Sequence, residues 1–242
     1  MYQMKLLNIQ HVIIDGGSID STLKIVQQYQ GKYDQLLLSE RDDGIYDAMN
    51  KGIKLASGEW IYFLASDDIF KNESVISNIF DNHFNVTNQF IYGNVIFSHS
   101  GIRYDGKFDS EKISEKNICH QSIFYHKDLF KKFGLFDLKY KTCADHVFNL
   151  KCFGSHLNLQ YLDIDIAIFN ELGISGTIVD EQFVNDLDQL LVDNEIVCKK
   201  TLIFFKKQNY QFKNSYSLQL AKILVFPFNL LNKMKAWILQ KF

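Results

Sequence analysis

The stretch "GIYDAMNKGIKLASGEWIYFLASDDIF" (residues 44–70) reads as three consecutive pieces of structure. Residues 44–57 carry apolar side chains at helical spacing and stop at Gly58, which predicts an amphipathic helix. "WIYFLA" (60–65) is a short apolar run, which predicts a buried strand. Beyond it stand Asp67 and Asp68. Adjacent ionised carboxylates repel, and keeping both beside an apolar wall requires a cation or a set of donors. Asp68 precedes "IFKNESVISNIF" and can serve as a helix cap, but a cap uses one aspartate and leaves the other over. From the pair alone, the capping reading and the metal or ligand reading stand level.

The flanking sequence repeats the pattern. "HVIID" (11–15) is a strand, Ser18 or Asp20 caps a helix with Leu23, Ile25, Val26 and Tyr29 on one side, and "QLLLSE" (35–40) is a second strand. Strands alternating with helices predict a parallel sheet covered on both faces, with ligands at the carboxyl ends of the strands. Asp15 and the Asp67–Asp68 pair both fall at such ends, which favours the ligand reading. After a helix in "ESVISNIFDNHF" the pattern becomes mixed. Two strands lie in "FIYGNVIFSHSGIRYDGKF", a strand runs into a helix in "CHQSIFYHKDLFKKFG", a helix spans 144–154 with Asp145 in its first turn, and a strand spans 161–169. A single long amphipathic helix is predicted over 180–208. The expected class is α/β, a doubly wound mixed sheet in residues 1–178 followed by a C-terminal helical extension in 179–242.

Composition narrows the chemistry. A formal net charge of −2 over 242 residues excludes a general nucleic-acid binder. Arg41 and Arg103 are the only arginines, so a diphosphate is neutralised more readily by a metal ion than by guanidinium forks. Cys119, Cys143, Cys152 and Cys198 show no CxxC or zinc spacing and read as reduced residues of a cytoplasmic protein. The tail "LAKILVFPFNLLNKMKAWILQKF" is interrupted by Lys222, Lys233 and Lys235 and contains the only proline, Pro227. It suits a helix packed on the domain or on a partner subunit, or peripheral contact with the inner face of the cell membrane.

Four motifs, "IIDGGSIDST", "GIYDAMNKGIKLASGEWIYFLASDD", "CHQSIFY" and "GLFDLKYKTCADHVF", occur in the order seen in family 2 glycosyltransferases of the GT-A fold, and most of residues 9–176 resembles that family. The resemblance implies that Asp15 contacts the nucleotide base, Asp67 faces the ribose, Asp68 holds a divalent metal (Mg or Mn) on the diphosphate, and Asp145 is the general base. It also implies that His120 and Gln121 line the acceptor side. The expected function is sugar transfer, with inversion, from a nucleotide-diphosphate sugar, UDP-sugars favoured, to a saccharide or lipid-linked hydroxyl in surface polysaccharide or glycolipid assembly. The alternative is a truncated, catalytically weak fragment that binds a partner; a metal phosphohydrolase is weaker, since nothing resembles a nucleophile.

Three departures from the family pattern bear on this. Met49 stands where many relatives carry an arginine, which leaves Lys51, the metal or backbone to meet the diphosphate; His146 and Lys151 replace an acid and an arginine after Asp145; and only eight residues precede Ile9, where the family has a strand and a helix. A parallel neighbour needs a crossover of about a dozen residues. The resemblance therefore predicts a gap or a rearranged sheet between the strand ending at Asp15 and the one ending near Ala65, residues 1–7 helical or loose, and weak nucleotide binding.

Overall fold

The structure, a computed structural model, describes residues 9–31, 34–83, 87–155, 157–172, 179–198 and 200–203. Strand β1 (His11–Asp15) pairs in parallel with β2 (Gln35–Ser39), and α1 (Thr22–Gln27) lies in the crossover between them. The register sets Asp15 beside Ser39 at the carboxyl end of this ribbon. Helix α2 (Ile45–Leu55) packs on β1 and buries Tyr46, Met49, Asn50 and Ile53, the i, i+3, i+4, i+7 stripe of an amphipathic helix. Asn50 ties that stripe to the rest of the protein. Its amide donates to the Phe136 carbonyl at 2.9 Å and its oxygen accepts the Phe136 N–H at 2.9 Å.

The larger sheet is mixed. It is built from β3 (Trp60–Tyr62), β4 (Ile69–Phe70), β5 (Phe90–Phe97), β6 (Arg103–Tyr104), β7 (Ile123–His126) and β8 (Leu159–Phe169). The order is β3-β7-β5-β8-β4, with β6 on β5. Only β5 and β8 run parallel. Strand periodicity divides the side chains between two apolar layers. Phe90, Tyr92, Ile123 and Tyr125 face one cluster, and Ile91, Val95 and Phe124 face the other. Gly93 sits at the register shift between β5 and β8, where an added Cβ would lie 2.7 Å from the Ile164 carbonyl oxygen.

Helices α3 (Val75–Ser77), which continues into a π-helical turn at Asn78–Asn82, α4 (Ser110–Glu115), α5 (Lys127–Phe133) and α6 (Ala144–Gly154) cover the sheet. The α5–α6 contact is aromatic, with Phe130 and Phe148 stacked at 4.7 Å between ring centroids. Helix α7 (Glu181–Asp193) adds Phe183 and Leu191 to the same cluster as Phe148, so the start of the C-terminal segment is packed into this core.

Two elements differ from the sequence reading. Strand 60–65 contracts to β3, which pairs with β7 and not with β1. Among the described residues β1 and β2 form a two-stranded sheet of their own; residues 1–7, expected to be helical or loose, lie outside the described residues. The predicted helix over 180–208 breaks after Asp193. Glu195 turns to φ 56°, the N–H groups of Ile196 and Val197 fold back onto the Leu191 carbonyl, and Ile196 joins the core. The break is held from α6, whose last residue, Gly154, meets the Asn194 carbonyl so closely that a Cβ there would lie 1.6 Å from its oxygen. Among the described residues no helix is long and apolar enough to cross a membrane, and the lysine-interrupted tail lies outside them.

Candidate active site

Asp15 closes the ribbon at its carboxyl end. Its Oδ2 accepts the Ser39 hydroxyl at 2.6 Å and the N–H groups of Ser18 and Gly17 at 3.0 and 3.2 Å. Hydrogen bonds from Ser18 and Ser39 hold its carboxyl below the usual range, so it stays ionised. The "DGGS" turn is thus wound around the aspartate. Lys51, one turn before the end of α2, is engaged locally: it donates to the Arg41 carbonyl at 2.9 Å and pairs with Glu40 at 3.0 Å and Asp47 at 3.3 Å. It fastens the loop after β2, and no bond joins it to the Asp67–Asp68 pair among the described residues.

The adjacent aspartates have opposite environments. Asp68 is 5 % exposed, and both its oxygens are taken: Oδ2 accepts the Gln121 amide at 2.6 Å and Oδ1 accepts the Asn170 N–H at 3.0 Å. Asp67 is exposed and accepts a single bond, from the Asn170 side-chain amide to Oδ2 at 2.8 Å. Its Oδ1 has no protein donor among the described residues. Gln121 is itself oriented, because Cys119 Sγ donates to its Oε1 at 2.9 Å and Tyr62 donates to its carbonyl at 2.7 Å. Gln121 belongs to a single 3-10 turn, His120–Ser122, that leads into β7. Burial pushes the Cys119 thiol far up, so it is a neutral donor.

His120, on the same turn, points to the start of α6. Its Nδ1 lies 3.2 Å from Asp145 Oδ2, while Tyr46 of α2 donates its hydroxyl to Asp145 Oδ1 at 2.7 Å. Burial alone raises the Asp145 carboxyl, but the bonds from His120 and Tyr46 outweigh it, and the group sits below the usual carboxylate range. His146 faces away from this cluster, with Nε2 2.7 Å from the Ile113 carbonyl and its ring 4.9 Å from that of Phe183. Burial lowers its pKa and keeps it neutral.

The predicted residues therefore fall into three groups. Asp67, Asp68 and Gln121 form one and His120 and Asp145 a second, joined through the 120–122 turn, while Asp15 and Lys51 lie on the β1–β2–α2 side. Tyr46 and Asn170 were not singled out from sequence. Tyr46 is part of the "GIYDAMN" motif, which was the available signal; Asn170 follows an ordinary strand and offered none.

The sequence model described as "Glycosyl transferase family 2" matches residues 2–136. A protein of Mycobacterium tuberculosis named "PGL/p-HBAD biosynthesis glycosyltransferase" is 37 % identical over 184 residues, covering 73 % of this chain and 71 % of its own length. The chain belongs to glycosyltransferase family 2. Solved structures agree with this on the fold. TarS of S. aureus in complex with UDP-GlcNAc superposes with a TM-score of 0.60 at 18 % identity, covering 87 % of this glycosyltransferase and 68 % of TarS. The mannosyltransferase PcManGT of Pyrobaculum calidifontis, in complex with GDP-Man and Mn2+, gives 0.53 at 15 % identity, covering 76 % and 53 %. Among the described residues of this glycosyltransferase no cluster of three or more His, Cys, Asp or Glu is arranged for a metal. The free Oδ1 of Asp67 still fits a hard cation that takes its remaining oxygens from a diphosphate and water.

Proposed function

We propose that this glycosyltransferase moves a sugar from a UDP-sugar to a hydroxyl of a saccharide or lipid-linked acceptor, with inversion at the anomeric carbon, in surface glycolipid or polysaccharide assembly. The carrying observation is that one short turn, His120–Ser122, joins the Asp67–Asp68 group to the Asp145–His120 group, so a leaving-group end and a proton-accepting end share one rigid support. Displacement at one carbon needs both ends and no covalent nucleophile. The named role of the mycobacterial relative in PGL/p-HBAD biosynthesis and the complexes of the fold neighbours with UDP, UDP-GlcNAc and GDP-Man support this class of donor and product.

In this reading Asp15 and Ser39 receive the nucleotide, and Asp67 would hold a Mg or Mn ion through its free oxygen. Bound there, such an ion supplies charge stabilisation for the departing diphosphate. Asp68, to which the sequence resemblance gives the metal role, accepts the Gln121 amide and the Asn170 N–H beside the exposed aspartate. The hydroxyl proton is accepted at the Asp145–His120 pair. Catalysis resides in residues 1–178, and the tail within 179–242 carries contact with the inner membrane face. Isothermal titration with UDP, with and without Mn2+, and a transfer assay over a panel of nucleotide sugars test the reading. UDP binding should need the metal and be lost in Asp67→Asn, while Asp145→Asn should keep binding and lose transfer. Equal loss of binding in both variants would overturn the division.

A further inference from the structure

We propose that Asn170 is the positioning residue of the acidic pair, and that Glu171 beside it fastens it to the turn between β5 and β6. The inference rests on the transferase reading above and deepens it, since that reading gives Asp67 the metal. It starts from the register of β4 on β8. Ile69 lies opposite Ile168 and Phe70 opposite Ala167 in an antiparallel pair, so the residues before β4 run beside the chain that leaves β8. Asp67 and Asp68 thereby reach Asn170 across 103 and 102 positions of sequence. Three polar groups of Asn170 are then engaged. Its backbone N–H donates to Asp68 Oδ1 at 3.0 Å, its side-chain Nδ2 donates to Asp67 Oδ2 at 2.8 Å, and its Oδ1 accepts the Leu172 N–H at 3.2 Å. The last bond settles which way the amide faces. A backbone N–H only donates and a carboxylate only accepts, so the amide oxygen turns to Leu172 and the NH2 group to Asp67. Aspartate, the isostere, would set oxygen against oxygen at the same place.

Glu171 keeps Asn170 in place. Its carboxylate accepts the Ser100 N–H at 2.8 Å, the His99 N–H at 3.1 and 3.2 Å and the Ser98 hydroxyl at 3.4 Å. On the other side of Asn170, the Phe169 carbonyl accepts the Ser98 N–H at 2.8 Å. Both neighbours of Asn170 are thus tied to one turn, residues 98–101. That turn extends from β5, and β5 and β4 flank β8 on opposite sides, so Asn170 bridges from the anchored side to the acidic side. The consequence for Asp67 is entropic. An exposed aspartate samples several side-chain orientations, and ordering it costs free energy whenever a ligand binds. With Oδ2 held by Asn170 that cost is met in the fold, and Asp67 is set in advance for a cation at its other oxygen.

Two measurements on the full chain decide it. The first is carboxyl-carbon NMR at neutral pH without metal or nucleotide. Asn170→Ala keeps the backbone N–H on Asp68 and deletes the amide on Asp67, so the Asp67 signal should shift and the Asp68 signal should stay. Gln121→Ala should do the reverse. Glu171→Ala should move the Asp67 signal in the same direction as Asn170→Ala, and an unmoved signal would remove Glu171 from the proposal. An Asp67 signal unmoved in Asn170→Ala, or one that moves no more than that of Asp68, would overturn the role of Asn170. The second is isothermal titration of UDP with Mn2+. Asn170→Ala should weaken the metal-dependent binding by about 10–100-fold, and binding within about twofold of wild type would overturn the proposal. The urea midpoint should stay near wild type, because the lost bond is exposed. Wild type that binds UDP equally with and without Mn2+, or not at all, would count against the donor reading instead, and the carboxyl spectra alone then decide the place of Asn170.

Discussion

Asp67 and Asp68 are neighbours of identical chemistry, and their partners make them different residues. Asp68 offers two buried oxygens to Gln121 and Asn170, so Asp68→Ala strands two buried donors. The expected cost is roughly 2–6 kcal/mol, from about 1–3 kcal/mol per stranded group, read as a lowered urea midpoint. Asp67 is exposed with one bond, and Asp67→Asn should leave that midpoint nearly unchanged while removing metal-dependent UDP binding. Tyr46 is the complementary case in a buried site. Removing its hydroxyl in Tyr46→Phe takes a donor from an ionised Asp145, which should cost about 1.5–3 kcal/mol and raise the Asp145 carboxyl toward its ordinary value. Urea unfolding measures the first effect, and carboxyl-carbon NMR titration the second.

Helices in this chain are placed by contacts that lie far away in sequence, which sets the limit of what could be read. Helix α2 was legible from its periodicity, and its buried stripe is the predicted one. Its chemical purpose was not, because the Tyr46–Asp145 bond spans 99 positions. The end of α7 was illegible for a related reason. "VDNEIVCKK" contains neither Gly nor Pro, and the residue that permits the break is Gly154 on another helix. Gly154→Ala should therefore cost roughly 3 kcal/mol or more, since its Cβ would overlap backbone and not a movable side chain; a thermal melt within 1 °C of wild type would refute the account. The start of α7 can be tested separately. Asp180 caps the helix through the Phe183 N–H at 3.1 Å and also accepts the Thr142 N–H at 2.9 Å, in the loop that delivers Asp145. Asp180→Ala should cost about 1–2 kcal/mol as a cap and lower kcat more than it raises KM.

Across the whole molecule, the buried charges make folding sensitive to acid in two stages. Asp15 and Asp145 both have carboxyls held below their unfolded values. Their stabilisation is complete above the unfolded carboxylate pKa, about 3.9, and is lost as pH falls through the folded value. His146 is buried neutral, with a folded pKa below the unfolded 6.5. An unfolded histidine binds its proton first as pH falls, so its contribution is complete above about pH 6.5 and erodes below it. The upper stage therefore belongs to histidine and the lower to carboxylate. His146→Gln keeps a donor for the Ile113 carbonyl and removes the titration. Scanning calorimetry at pH 7.5 and 5.5 should show a fall in Tm for wild type and a smaller fall for His146→Gln. An equal fall in both proteins would mean that His146 can be protonated in the folded state without cost. The His146–Phe183 contact between α6 and α7 would then not be the dry junction that its burial describes.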